Sequence, residues 1–155
     1  EILAQLRQEH EAIRWEEFEI KDEDDLESSW QFIDDDHVLH KYFSNPELIS
    51  FIERTASCDL SGCELKINYK YDGPHHTLQE PHRDSGFSKL TFQIFLQEED
   101  YPDGGTILHN SDKTTFELPM LSNSGGFFSN TKQSWHSVKQ RGYHRKSVLV
   151  RYLLK

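Results

Sequence analysis

Glu64-Leu65-Lys66-Ile67-Asn68-Tyr69-Lys70-Tyr71 alternates polar and apolar residues without a break. Successive side chains of an extended strand point to opposite faces, so this run has one face fit for burial and one that is not. Asp72-Gly73-Pro74 ends it. Downstream, short segments of strand character recur between turn residues, at 90–96, 106–109, 114–118, 126–128, 134–138 and 147–154. The 90–96 segment is mostly apolar and suits a central strand, and Asp103-Gly104-Gly105 reads as a turn. This march of short strands, in a chain rich in Phe and Tyr, predicts a mainly β fold of the double-sheet jelly-roll kind.

Upstream the pattern is helical. Ile2, Leu3, Leu6 and Ile13 recur at roughly helical spacing over residues 1–14. Residues 15–20 alternate weakly, as a strand would. Residues 21–29 read as an acidic loop or a solvated helical face. Between residues 30 and 43 the period is ambiguous, with Phe32, Ile33, Val38, Leu39 and Phe43 as core contacts. Ser44-Asn45-Pro46-Glu47 opens a helix: Ser44 or Asn45 caps it, Pro46 takes the first turn and Glu47 meets the positive end of the dipole. Leu48, Ile49, Phe51 and Ile52 form its apolar stripe, and it fades near Ser57. The expectation is one domain over 1–155, with a helical part at about 1–60 covering a jelly-roll core at about 63–154.

The net charge is -10, with much of the acid in Glu16-Glu17, Asp22 to Asp25 and Asp34 to Asp36. That balance disfavours broad contact with nucleic-acid phosphates or an anionic membrane. The two cysteines, Cys58 and Cys63, fit neither a disulfide framework nor a zinc spacing and read as free thiols of a reducing compartment. No run approaches membrane-spanning length and no signal peptide is visible, which points to the cytoplasm.

The chemistry gathers at Pro81-His82-Arg83-Asp84-Ser85-Gly86. One residue separates His82 from Asp84, so in an extended strand both side chains share a face. An imidazole and a carboxylate there, completed by His136 from a later strand, make a three-ligand facial site of the kind that holds non-haem Fe(II). Arg145 follows nine residues after His136, Ser147 shares its strand face, and Gly104-Gly105-Thr106 lies between the two halves.

Together, His82-x-Asp84, Gly104-Gly105, Trp135-His136-Ser137-Val138 and Arg145-x-Ser147 resemble the Fe(II)- and 2-oxoglutarate-dependent dioxygenases, in particular their prolyl-hydroxylase-like branch. The resemblance covers residues 63–154 and implies a double-stranded β-helix, which is a jelly roll. It implies that His82, Asp84 and His136 bind iron, with no catalytic side chain beyond these ligands. Arg145 would bind the distal carboxylate of 2-oxoglutarate, with Ser147 adding a hydrogen bond. Tyr69, in an Asn68-Tyr69 pair, and Thr91 would contact the cosubstrate. The implied activity is hydroxylation of a protein residue or a small molecule with dioxygen, releasing succinate and CO2, with ascorbate in a supporting role.

Two other readings stay open. Arg145 and Arg151, six apart, match a signature of the nucleic-acid demethylase branch, although the acidic balance opposes it. A non-catalytic jelly-roll binding module is the other. The His-x-His and later Glu of a cupin-like site are not at hand.

Overall fold

A computed structural model describes residues 1–14, 28–73, 80–83, 88–130, 134–138 and 144–155. The expected strand at 15–20, the acidic segment at 21–27, the loop carrying His75 and His76, and Asp84 lie outside them. The chain runs α1 (Ile2–Ala12), β1 (Ser28–Phe32), α2 (Val38–Phe43), α3 (Pro46–Ala56), β2 (Glu64–Asp72), β3 (Ser88–Phe95), β4 (Tyr101–His109), β5 (Thr115–Met120), β6 (Gly125–Ser129), β7 (Trp135–Val138) and β8 (Arg145–Leu153). Among the described residues strands outweigh helices, at 44% against 23%. They form two antiparallel sheets, one of five strands in the order β1-β2-β8-β3-β6 and one of three in the order β5-β4-β7. This is the expected jelly roll with helices over one face.

The helices form where the local signals put them. Asn45 accepts hydrogen bonds from the backbone N–H groups of Glu47 (2.8 Å) and Leu48, Pro46 opens α3, and Ser57 ends it in the left-handed region at φ 50°. The ambiguous 30–43 stretch resolves into the end of β1 and the short α2, capped by His37. Arg7 of α1 donates to the carbonyls of Leu96 (2.9 Å) and Gln97, which pins that helix to the end of β3.

Leu6, Leu39, Phe43 and Ile52 from the three helices bury themselves against Ile67 and Tyr69 of β2, Leu90 of β3, and Val148, Val150 and Tyr152 of β8. These strand residues occupy one face of the five-stranded sheet. The residues between them face the three-stranded sheet: Thr106 of β4 bonds across the gap to Gln93 of β3 and Arg145 of β8. The alternation of β2 is therefore kept, but its polar side is the inner one.

Asp103-Gly104-Gly105 differs from the turn expected of it. It lies within β4, where pairing jumps from Tyr101↔Met120 to Thr106↔Leu118, a bulge with extra residues on β4. A Cβ at Gly105 would come within 2.0 Å of the Leu118 carbonyl oxygen, so the close approach of β4 to β5 requires glycine there. Cys58 and Cys63 are half-buried free cysteines. Among the described residues no helix is long and apolar enough to cross a membrane.

His10 shows how tightly α1 is seated. Its Nε2–H donates to the Lys70 carbonyl at 3.2 Å, its ring meets Tyr69 edge-on at 5.7 Å, and it is 1% exposed. Burial holds its pKa down from 6.5 to about 4. The unfolded chain binds that proton from pH 6.5 downward and the folded one does not. Stability contributed by the neutral ring is thus complete above pH 6.5 and is lost as pH falls toward 4, by up to about 3 kcal/mol. Thermal melts should show Tm falling over that window, and His10→Gln should flatten the fall.

Candidate active site

The two histidines come together through their backbones. His82 and His136 form an isolated antiparallel bridge, with His82 N–H to His136 C=O at 2.9 Å and His136 N–H to His82 C=O at 2.8 Å. Their ring centroids are 4.4 Å apart. The bridge extends the three-stranded sheet, because His136 on β7 also pairs with Leu108 on β4. Holding two imidazoles side by side by main-chain bonds removes most of the entropy cost of gathering them. His82 Nδ1 lies 3.0 Å from the Glu80 carbonyl, which can only accept, so Nδ1 carries the proton and the Nε2 lone pair is available for a metal. His136 is 8% exposed and its ring sits 5.2 Å from that of Phe128. Asp84 is outside the described residues, and among those residues no three His, Cys, Asp or Glu side chains cluster as a metal site. Two nitrogen donors suit a divalent first-row metal, and one carboxylate would complete a facial set.

The second half of the site lies on the inner face of the five-stranded sheet. Arg145 is 1% exposed. Its Nη2–H donates to Thr106 Oγ1, and that hydroxyl donates to Gln93 Oε1 at 2.6 Å. Its Nη1 lies 3.4 Å from Asp72 Oδ2, and its guanidinium sits 5.5 Å from the centre of the Phe95 ring. Burial pulls the guanidinium pKa down, and the Asp72 charge opposes that pull. Asp72 also meets Lys70 Nζ, at 3.0 Å. Two buried donors of β8, Arg145 Nε and Ser147 Oγ, have no hydrogen-bond partner among the described residues. Buried polar groups are ordinarily paired, and a carboxylate would satisfy both of these. The residues present thus fit the anionic end of a cosubstrate.

The other sequence candidates separate. Ser147 shares the inner face with Arg145, while Lys146 points the other way and meets Glu11 at 3.3 Å. Thr91 is also on the inner face, opposite Arg151, with its hydroxyl 3.1 Å from both Ser88 Oγ and Asn130 Nδ2. Tyr69 is not on this face. One residue of parity sends its ring under the helices, where its hydroxyl donates to Glu9, and burial followed by that bond pushes the phenol pKa well up. Arg151 donates to Asn68 Oδ1 at 3.1 Å and stacks 4.9 Å from the Trp30 ring centre.

Lys70, Asp72 and Gln93 were not singled out from sequence as site residues, and Thr106 was named only for lying between the two halves. Signals for them existed: Gln93 interrupts an otherwise apolar strand, and Lys70 and Asp72 belong to the polar set of β2. A polar set is ordinarily read as the solvent face, which hid them. Near the histidines, Phe128 and Trp135 line a cavity of about 610 Å³ that also takes in Leu108, His109 and Phe127. It is separate from the Arg145 cluster, whose residues do not line it.

No protein-family model and no curated protein matches the sequence. Solved structures do resemble it. A prolyl-4-hydroxylase from Pseudomonas putida matches with a TM-score of 0.73 at 17% identity, over 99% of this chain and 87% of that one. A 2OG-Fe(II) oxygenase family oxidoreductase from Burkholderia pseudomallei matches with 0.69 at 12% identity, over 97% and 77%. The non-heme alpha ketoglutarate dependent epimerase SnoN from nogalamycin biosynthesis matches with 0.66 at 16% identity, over 99% and 72%. The chain shares their fold.

Thr106 ties the two sheets to the buried guanidinium. Thr106→Val, which leaves an Arg145 N–H buried and unmet, should cost about 1–3 kcal/mol in urea unfolding. Thr106→Ser, which keeps the hydroxyl, should cost less than about 1 kcal/mol by the same measurement.

Proposed function

We propose that this chain is an Fe(II)- and 2-oxoglutarate-dependent oxygenase that hydroxylates a C–H bond of a protein residue or a small molecule. One observation carries the reading: a backbone-bridged histidine pair and a buried arginine with unmet donors beside it occur together in a fold shared with such oxygenases. His82 and His136 would hold the metal through ring nitrogens, with Asp84 as the carboxylate ligand. Arg145 and Ser147 would bind the far carboxylate of 2-oxoglutarate. When bound, iron and 2-oxoglutarate supply the oxidising chemistry, consuming dioxygen and releasing succinate and CO2.

The protein's own part is geometry and exclusion of water. The His82–Glu80 hydrogen bond orients one imidazole, and the main-chain bridge orients both. Arg145 stays charged at any working pH and offers a planar fork suited to a carboxylate. Phe95 and Phe128 place apolar surface against Arg145 and His136, which strengthens the electrostatics there. The cavity at Phe128 and Trp135 is where a substrate group would approach. Peptide and small-molecule substrates are both compatible with it.

The test is direct. Purified protein given Fe(II), 2-oxoglutarate and dioxygen should form succinate, and it should bind 2-oxoglutarate in the presence of Mn(II) without oxygen. His82→Ala and His136→Ala should each lower metal affinity at least about tenfold. Arg145→Gln should leave metal content unchanged and weaken 2-oxoglutarate about 100-fold, read by calorimetry. Full metal retention in both histidine variants would exclude the site.

A further inference from the structure

Lys70 and Asp72 are more than a single-arginine carboxylate site requires. The register makes Lys70 the Cα partner of Ser147, and Asp72 the partner of Arg145. The four side chains therefore form a two-by-two block on the inner face. Asp72 is fully buried, Ser147 likewise, Arg145 is 1% exposed and Lys70 7%. One carboxylate is shared by two cations, with Oδ1 3.0 Å from Lys70 Nζ and Oδ2 3.4 Å from Arg145 Nη1. Counted by themselves, these four side chains hold two cations and one anion, an excess of one positive charge in a protein whose net charge is -10. A buried charge is costly unless an anion meets it. The unmet Arg145 Nε and Ser147 Oγ lie within the same block.

We propose that Lys70 and Asp72 set the charge of the pocket that takes the far carboxylate of 2-oxoglutarate: Lys70 offsets Asp72, so that one net positive charge is left for one carboxylate. The inference rests on the oxygenase reading and adds two residues to it. Asp72 is a positioning residue here: it holds both cations in place and cancels one of them. Counting these residues alone, the loss of Asp72 leaves two unbalanced cations and the loss of Lys70 leaves none.

That count can be tested by calorimetric binding of 2-oxoglutarate to the Mn(II)-loaded protein under nitrogen. Lys70→Met leaves Arg145 balanced by Asp72, and binding weakens at least about tenfold. The double variant Lys70→Met with Asp72→Asn restores one net positive charge, and binding returns to within about threefold of the parent. A structural role for Lys70, packing against Trp30 at 5.4 Å, would not be rescued by Asp72→Asn. Lys70→Arg keeps the charge and covers the case in which Lys70→Met does not fold. It binds within about threefold of the parent, and a loss of about tenfold would overturn the proposal. Unchanged binding in Lys70→Met, or a double variant as weak as the single one, would also overturn it. A parent that binds no 2-oxoglutarate at all would instead sink the oxygenase reading itself.

Discussion

A guanidinium withdrawn from water has to be met on several sides at once, and much of this structure is arranged around meeting one. Arg145 takes its counter-charge from β2 through Asp72 and a hydroxyl from the opposite sheet through Thr106. Gln93 on β3 then holds that hydroxyl. Three strands of one sheet and one of the other are thereby fixed to a single side chain. Burial of such a charge is weak evidence of stability, because the desolvation cost is close to the Coulombic return. Its position at the inner face leaves Arg145 Nε and Ser147 Oγ without hydrogen-bond partners among the described residues, which is the observation behind the binding role proposed for it.

That demand inverts the polarity of the larger sheet. Its outward face is apolar because α1, α2 and α3 cover it, and its inward face carries the charges and hydrogen bonds gathered around Arg145. The same inversion explains Tyr69. A residue next to Lys70 in a regular strand must point the opposite way, so it joins the helix-facing core and gives its hydroxyl to Glu9. The helices hold this arrangement from behind: His10 reaches the Lys70 carbonyl, directly beneath the strand that carries Lys70 and Asp72 inward.

The smaller sheet contributes by a different device. Its edge strand β7 brings His136 to the rim, and the pair of main-chain bonds to His82 recruits a residue from a loop into the sheet. The bulge in β4, made possible by the missing side chain at Gly105, sets the register that delivers Thr106 to Arg145 and Leu108 to His136. Small changes in the register of β4 would reach both halves of the site.

Sequence alone determined the class of fold and the cap and first turn of α3, because those rest on local signals. Alternation marks strands and Asn45-Pro46 marks a helix start, whereas nine histidines leave spacing indecisive and His136 was joined to His82 through the family resemblance. Sequence also placed Arg145 and Ser147 on one face and Lys146 on the other, since strand parity is local too. Which face was inner could not be decided that way. A polar row on a strand reads as solvent-facing unless another sheet is known to lie over it, so Lys70 and Asp72 were not read as inner-face residues, and Tyr69, for which the resemblance implied a cosubstrate contact, lies among the helices. Only the tertiary structure, by stacking helices on the apolar side and a second sheet on the polar side, decided where the buried charge would sit and which residues would answer it.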